Sequence, residues 1–268
     1  MSTIPAGRWR LGEEGVLAIP GDGEGPVRTV DLPSFLMDKT TVTNRQFATF
    51  VRETGYRTQA EDLGWSFVFA PQVALDATIR DEELGQAPEW WLPVEGASWC
   101  RPNGCGMDLS GLEDHPVVHV CWHDAMAYAQ HVGKRLPFED EWEAAARGGL
   151  QGAAYCWGDE LRPGGRHMCN IWQGHFPTNN TAEDGFLATA PARSFPPNGF
   201  GLYNMLGNVW EWTASSWAEN VSNLRTLRGG SYLCHASYCN RYRVSARTCN
   251  APGATSSHLG FRCAADIL

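Results

Sequence analysis

Two cysteines separated by four residues, Cys234 and Cys239, are the side chains in this 268-residue chain best suited to chemistry. They lie in Arg228-Gly-Gly-Ser-Tyr-Leu-Cys-His-Ala-Ser-Tyr-Cys-Asn-Arg-Tyr-Arg243. Glycines there permit close backbone approach, and four basic side chains (Arg228, His235, Arg241, Arg243) favour thiolate over thiol. Two sulfurs are too few for a closed tetrahedral zinc site, whereas two-thiolate ligation suits Cu(I) and leaves room for a third ligand. An ordinary disulfide has the same spacing, and the residues alone leave both readings open. A second pair, Cys100 and Cys105, flanks the turn-forming stretch Arg-Pro-Asn-Gly and reads as a structural pair or as bystander loop thiols.

Oxygen donors gather in two further places. Asn170-Ile-Trp-Gln-Gly174 and Glu183-Asp-Gly-Phe186 bracket a loop containing Asn179 and Asn180, and Asn204-Met-Leu-Gly-Asn-Val-Trp-Glu211 again pairs an amide with a carboxylate. Such mixtures suit Ca2+, although neither follows the EF-hand pattern and each also describes a turn capped by Asn and Asp. His115 and His119 stand in a Pro-Val-Val stretch that should be extended, which would put them about 13 Å apart, too far for one metal. Both read as core or supporting residues. No Gly-x-Ser-x-Gly elbow, phosphate-binding glycine loop or dinucleotide fingerprint occurs, which argues against hydrolase, kinase and nicotinamide-dependent readings.

These residues have to be held by a scaffold with few long helices: 12 Trp, 29 Gly and 16 Pro imply bulky anchors joined by many turns. Thr43 and Gln46 form a capping box ahead of an apolar stripe (Phe47, Phe50, Val51), and Gly55 closes that helix. A second helix is expected over 123–132 with Gly133 as its stop, and a third over 137–147, acidic in its first turn and ended by Gly148-Gly149. Phe35-Leu-Met-Asp38 reads as a short strand. Residues 57–112 read as a packed loop region with little regular structure, and the chain beyond Gly149 as short antiparallel strands joined by loops. The sum is one α+β domain. The net charge of −9 disfavours nucleic acid and anionic membrane and favours a basic peptide. No apolar run approaches the roughly 20 residues of a membrane span and no signal peptide is evident, so the cytoplasm is the default compartment. Nine cysteines leave at least one thiol unpaired within the chain, and a reducing compartment would leave most of them free.

Along nearly its whole length the chain resembles the formylglycine-generating enzymes, also called sulfatase-modifying factors. The resemblance runs through His115-Pro-Val-Val-His-Val, Gly133-Lys-Arg-Leu-Pro, Glu141-Trp-Glu, Asn170-Ile-Trp-Gln-Gly, Pro197-Asn-Gly-Phe-Gly-Leu-Tyr-Asn, Gly207-Asn-Val-Trp-Glu-Trp, Gly229-Gly-Ser and Gly260-Phe-Arg-Cys. Those motifs are common to the superfamily. Ser231-Tyr-Leu-Cys-His-Ala-Ser-Tyr-Cys-Asn-Arg-Tyr-Arg243 looks like the catalytic segment of true formylglycine generators. The resemblance implies one domain over 1–268, distantly similar to C-type lectins, acting as a monomer. It implies an oxidase that uses O2 on a cysteine within a Cys-x-Pro-x-Arg stretch of an unfolded sulfatase. Cys234 and Cys239 would hold Cu(I), the substrate thiolate would join as third ligand, a hydrogen would leave the substrate Cβ, and hydrolysis of the thioaldehyde would give the aldehyde. Ser231 and Trp210 match positions lining that pocket. Two structural Ca2+ ions would be held by Asn170, Ile171, Asp184 and Phe186, and by Asn204, Gly207, Val209 and Glu211, with Ile171, Phe186, Gly207 and Val209 offering backbone carbonyls.

Several positions depart from the family pattern. Phe138 stands where a Thr or Ser would cap the third helix, a loss of roughly 1 kcal/mol unless packing compensates. His258 replaces an Asn common in relatives, and the segment 217–228 is short, which could reshape the substrate groove. Ala129, Ala145 and Val244 stand where secreted animal relatives carry cysteines, in keeping with a cytoplasmic form. Two competitors are an iron oxygenase of the same fold, which needs a histidine-rich helical domain this chain lacks, and a noncatalytic scaffold member, for which the C-terminal thiols would be dispensable.

Overall fold

The computed structural model describes residues 1–104 and 109–267. In chain order the elements are β1 (Ser2–Ile4), β2 (Gly7–Leu11), β3 (Arg28–Leu32), β4 (Phe35–Met37), α1 (Asn44–Thr54), α2 (Gln59–Leu63), β5 (Trp65–Phe69), β6 (Trp91–Glu95), α3 (Trp122–His131), α4 (Glu139–Arg147), β7 (Gly174–His175), β8 (Asn179–Asn180), β9 (Trp210–Ala218), β10 (Val221–Arg228), β11 (Arg247–Asn250), β12 (Leu259–Gly260) and β13 (Ala264–Asp266).

The three helices expected from caps and stripes are present. In α1, Thr43 Oγ1 accepts the Gln46 N–H while Gln46 Oε1 accepts the Thr43 N–H, and Gly55 takes the left-handed conformation that ends the helix. Phe47 and Phe50 are buried against Tyr128 of α3. Helix α4 lacks a hydroxyl at Phe138, and the chain compensates from elsewhere. The first-turn N–H of Glu139 donates to Ser215 Oγ of β9 at 2.9 Å, and the Phe138 N–H donates to Glu141. The expected capping loss is thereby offset.

The reading of 57–112 as nearly structureless is corrected by α2 and by the antiparallel hairpin of β5 and β6, which pairs Trp65 with Glu95 through Phe69 with Trp91. Helix α2 is a five-residue helix with a full Thr58–Glu61 capping box and Gly64 as its left-handed stop. Strands β1, β4 and β13 form one sheet, and β11, β10, β9 and β12 another, in that order, with only β12 parallel to its neighbour. The short 217–228 segment is a tight hairpin: residues 219–220 alone connect β9 to β10.

A continuous core joins these layers around Trp142, Trp212, Phe35, Phe47 and Phe261, all nearly or fully inaccessible. Ala129, Ala145 and Val244 are buried in it, and Cys263, buried in the same core, is a free thiol. Every cysteine among the described residues is free. Cys100 lies near Ser98 Oγ, and its sequence partner Cys105 lies outside the described residues. A separate cluster of Phe69, Trp172, Phe176, Tyr232 and Leu233 sits behind the segment that carries Cys234.

Candidate functional site

Gly230 opens the thiol-bearing segment. Its φ of 77° is left-handed, and a Cβ there would stand 2.9 Å from the Arg241 carbonyl, so glycine lets residues 230 and 241 lie side by side. The chain then turns twice: the Cys234 N–H bonds to the Ser231 carbonyl, and the Cys239 N–H to the His235 carbonyl. These turns bring the two sulfurs to 2.6 Å, both buried, and both thiols are free.

The pair shares a proton unequally. The Cys234 thiol donates to Cys239, and this hydrogen bond, together with the nearby Arg241 guanidinium, pulls Cys239 below the usual thiol range against the opposing effect of burial. Burial, and then the interaction with Cys239, push Cys234 well up. Of the two, Cys239 is the more acidic and Cys234 holds its proton the more tightly. Of the four basic residues expected to act on the sulfurs, Arg241 alone does so. Arg228 is spent on Glu143 and Glu139, Arg243 on Glu24, and His235 bonds Ser237 at the surface. Arg241 is held from behind by Asp22, at 2.5 and 2.9 Å. Sequence reasoning missed Asp22, which lies 219 positions away in an N-terminal stretch notable only for its acids and glycines.

Cys234, Cys239, Ser231, Trp210, Arg241 and His258 line one cleft of about 560 Å³. The Ser231 N–H points at Cys234 Sγ from 3.4 Å, and its hydroxyl accepts the Leu233 N–H. Trp210 is fixed by its N–H bond to the His258 carbonyl, where β9 meets β12. His258 stacks on Trp91 with ring centroids 4.5 Å apart, accepts or donates at Ser256 Oγ, and is kept neutral by burial, its pKa lowered to about 3. One wall is aromatic: Tyr238 lies flat on Phe176 and edge-on to Trp90. Trp90, Trp91 and Tyr238 were not picked out as site residues by sequence, because aromatic residues are abundant along the whole chain.

The donor set at the sulfurs is two thiols. Among the described residues no group of three or more His, Cys, Asp or Glu stands ready for a metal. A soft monovalent ion that accepts two thiolates and a third ligand from outside fits this set. At 2.6 Å the sulfurs are closer together than an ion held between them would leave them, so binding entails rotating a cysteine side chain.

The two oxygen clusters adjoin. Gly207, with φ 72°, lies against the Asn170 carbonyl, where any Cβ would collide, and the Asn208 N–H donates to that same carbonyl. Asn208, which sequence reasoning passed over, also accepts from Asn170 Nδ2 and the Ala190 N–H and ties the clusters together. Asn170 Oδ1 and Asn204 Oδ1 are both buried without a partner, as expected of oxygens meant for a cation. In the first cluster Asp184 accepts from the N–H groups of Ile171 and Phe186 and from Gln173, whose amide nitrogen also contacts the Ile171 carbonyl. Burial raises the Asp184 pKa against the opposing hydrogen bonds and the nearby His167. In the second cluster both oxygens of Glu211 are held by Arg262, and one also by Trp142 Nε1. The first set fits Ca2+ better than the second, whose carboxylate charge Arg262 already balances. His119 has φ 59°, so the stretch from His115 is not extended throughout. Each histidine bonds its own partners, His115 to Thr189 and His119 to Ser66 and Pro102, as structural residues do.

Comparison with known proteins follows this geometry. A family model described as the sulfatase-modifying factor enzyme 1-like domain matches residues 1–267. A formylglycine-generating enzyme from Thermomonospora curvata is 54% identical over 285 residues, covering 100% of this chain and 94% of that protein. The inactive C-alpha-formylglycine-generating enzyme 2 of Bos taurus is 47% identical over 267 residues, covering 98% of this chain and 87% of that protein. Among solved structures, PvdO from Pseudomonas aeruginosa is similar with a TM-score of 0.69 at 23% identity, covering 99% of this chain and 93% of that one, a likeness of fold.

Proposed function

Because the chain belongs to the sulfatase-modifying factor enzyme 1-like family, we propose that it oxidises a cysteine in a Cys-x-Pro-x-Arg stretch of an unfolded sulfatase to Cα-formylglycine, using O2 and a copper ion held by Cys234 and Cys239. Overall identity cannot carry this reading, since relatives named active and inactive lie at 54% and 47%. What supports it is the placement of two free, adjacent sulfurs in a cleft roomy enough for a peptide.

Bound Cu(I) would supply the capacity to reduce dioxygen. The protein's own groups prepare the rest. Cys239 is the more acidic of the pair, and both sulfurs would give up their protons to an ion that takes them together. Arg241 offsets part of the negative charge that accumulates as a third, substrate sulfur arrives, and Asp22 keeps its guanidinium from swinging into solvent. Neutral His258 stacked on Trp91 and the buried face of Trp210 exclude water without adding charge. Binding the substrate sulfur in this cleft positions its Cβ for oxidation, replacing an encounter with a held geometry. In the same reading Ca2+ is bound by Asn170, Ile171, Asp184 and Phe186. Asn204, Gly207, Val209 and Glu211 are the weaker second set. A reducing compartment such as the cytoplasm suits the free thiols. No helix among the described residues is long and apolar enough to cross a membrane.

The test is to incubate Cu(I)-loaded protein with a Cys-x-Pro-x-Arg peptide in air and to look for the aldehyde by mass spectrometry. Cys234→Ser and Cys239→Ser should each reduce conversion to background while the variants stay folded. Unmodified peptide at full copper occupancy would defeat the activity. Full activity in either variant would defeat the residue assignment. The noncatalytic alternative, which the inactive relative brings into view, expects no conversion at all.

A further inference from the structure

Strand β11 is the edge of its sheet: its four residues pair with Arg225–Arg228 of β10 and with no other strand. Successive side chains of a strand point to opposite faces, so a cleft lying over one face meets every second residue. Thr248, Cys249 and Asn250, three in a row, all line the cleft that holds Cys234 and Cys239. Leu227 of β10, Trp210 of β9 and Leu259 of β12 line it as well, so the cleft lies over one face of the sheet and reaches its β11 edge. In an antiparallel ladder alternate residues bond the partner strand and the others present their N–H and C=O outward. Two residues of β11 therefore present main-chain groups on the side away from β10, at the border of the cleft, and among the described residues no backbone or side-chain group bonds them from that side.

We propose that β11 is the docking edge for the substrate polypeptide, which adds to this sheet as a further strand while its cysteine reaches Cys234 and Cys239. The inference rests on the substrate reading above and gives it a physical basis. An enzyme acting on an unfolded chain needs affinity that does not depend on most of the side chains, and main-chain pairing to a free strand edge supplies it. The edge is also protected from casual pairing, being only four residues long.

The experiment is binding of a fluorescein-labelled peptide spanning Cys-x-Pro-x-Arg and its flanks, measured by anisotropy on metal-free protein, with Ser in place of the target Cys so that no mixed disulfide forms. Each non-proline amide is replaced in turn by an ester, which removes one N–H and keeps the chain's shape. Two positions spaced by two residues should each weaken binding about tenfold, with the position between them silent, the loss of one hydrogen bond apiece. Uniform insensitivity, sensitivity at adjacent positions, or failure of the all-amide peptide to bind would overturn the proposal. Conversion of the Cys-containing peptide by copper-loaded enzyme is scored separately. Alternating sensitivity without conversion leaves the docking edge standing and removes the proposed chemistry, whereas conversion with no sensitive ester does the reverse.

Discussion

Arg241 and Arg243 are two residues apart, carry the same charge, and do opposite work. Arg243 is fully buried and spends two guanidinium nitrogens on Glu24 at 2.6 Å each, with Ser245 Oγ also donating to that carboxylate. Arg241 reaches the cleft, turns toward Cys239, and is held from behind by Asp22. Both acids come from one N-terminal stretch, and between them the Gly23 carbonyl accepts from Arg247, so residues 22–24 close onto the thiol-bearing segment and its continuation like a strap. The difference teaches that a run of basic residues in sequence is not a positive field in space. Each cation counts only after its acid has been found, and here a single arginine is left to face the sulfurs.

The largest test of this contrast is Glu24→Ala. It leaves the Arg243 charge buried without a partner, and chemical denaturation should show a loss of about 3–5 kcal/mol. A loss below about 1 kcal/mol would mean that the strap is ornamental and that Arg243 finds another acceptor.

A buried base with no acid beside it behaves differently. His119 is fully buried, and burial lowers its pKa to about 4. Between pH 6.5 and about 4 the unfolded chain binds a proton that the folded chain refuses, so stability is full above that window and falls as pH drops through it. From pH 7.5 to 5 this amounts to about 2 kcal/mol. His258, lowered to about 3, acts in the same direction. Thermal melts of His119→Gln should show a shallower acid slope than the parent, and an unchanged slope would assign the acid sensitivity to other groups.

At α4 the missing partner is again supplied from a distance. Ser215→Ala removes the hydroxyl that accepts the Glu139 N–H, and the expected cost is about 1 kcal/mol, read from denaturant midpoints. A neutral result would indicate that water serves that N–H equally well.

These distant partners mark where sequence reading succeeds and fails. Caps and stops are local, so Thr43 with Gln46, Gly55 and Gly148 located helices whose ends the structure reproduces within a residue or two. The same signals at Thr58, Glu61 and Gly64 were passed over because a five-residue helix shows no apolar stripe. The β5 and β6 hairpin was invisible because its strands are separated by 21 residues of turns and loop. Cys234 and Cys239 stood out by type and spacing and were sharpened by family resemblance. The cleft around them was not legible, since its walls come from residues 63–67, 86–91 and 248–259, which only the fold brings together. Asp22 was hidden for the same reason.

The finest test acts on Arg241 itself. Arg241→Gln should cost no more than about 1 kcal/mol of stability, since Asp22 and Arg241 both retain some contact with water, at 14% and 24% exposure. Its effect should appear at the sulfurs. Without the cation Cys239 keeps the hydrogen bonds from Cys234 and from the residue-241 backbone N–H but loses the guanidinium, so its pKa rises and iodoacetamide modification of the metal-free protein should slow severalfold at neutral pH, with the rate profile displaced to higher pH. Arg243→Lys, which keeps a charge against Glu24 and never faces the sulfurs, should leave that profile in place. If both variants behave alike, the hydrogen bonds from Cys234 and from the residue-241 backbone N–H set the state of Cys239, and the strap's hold on Arg241 serves only to fix the shape of the cleft.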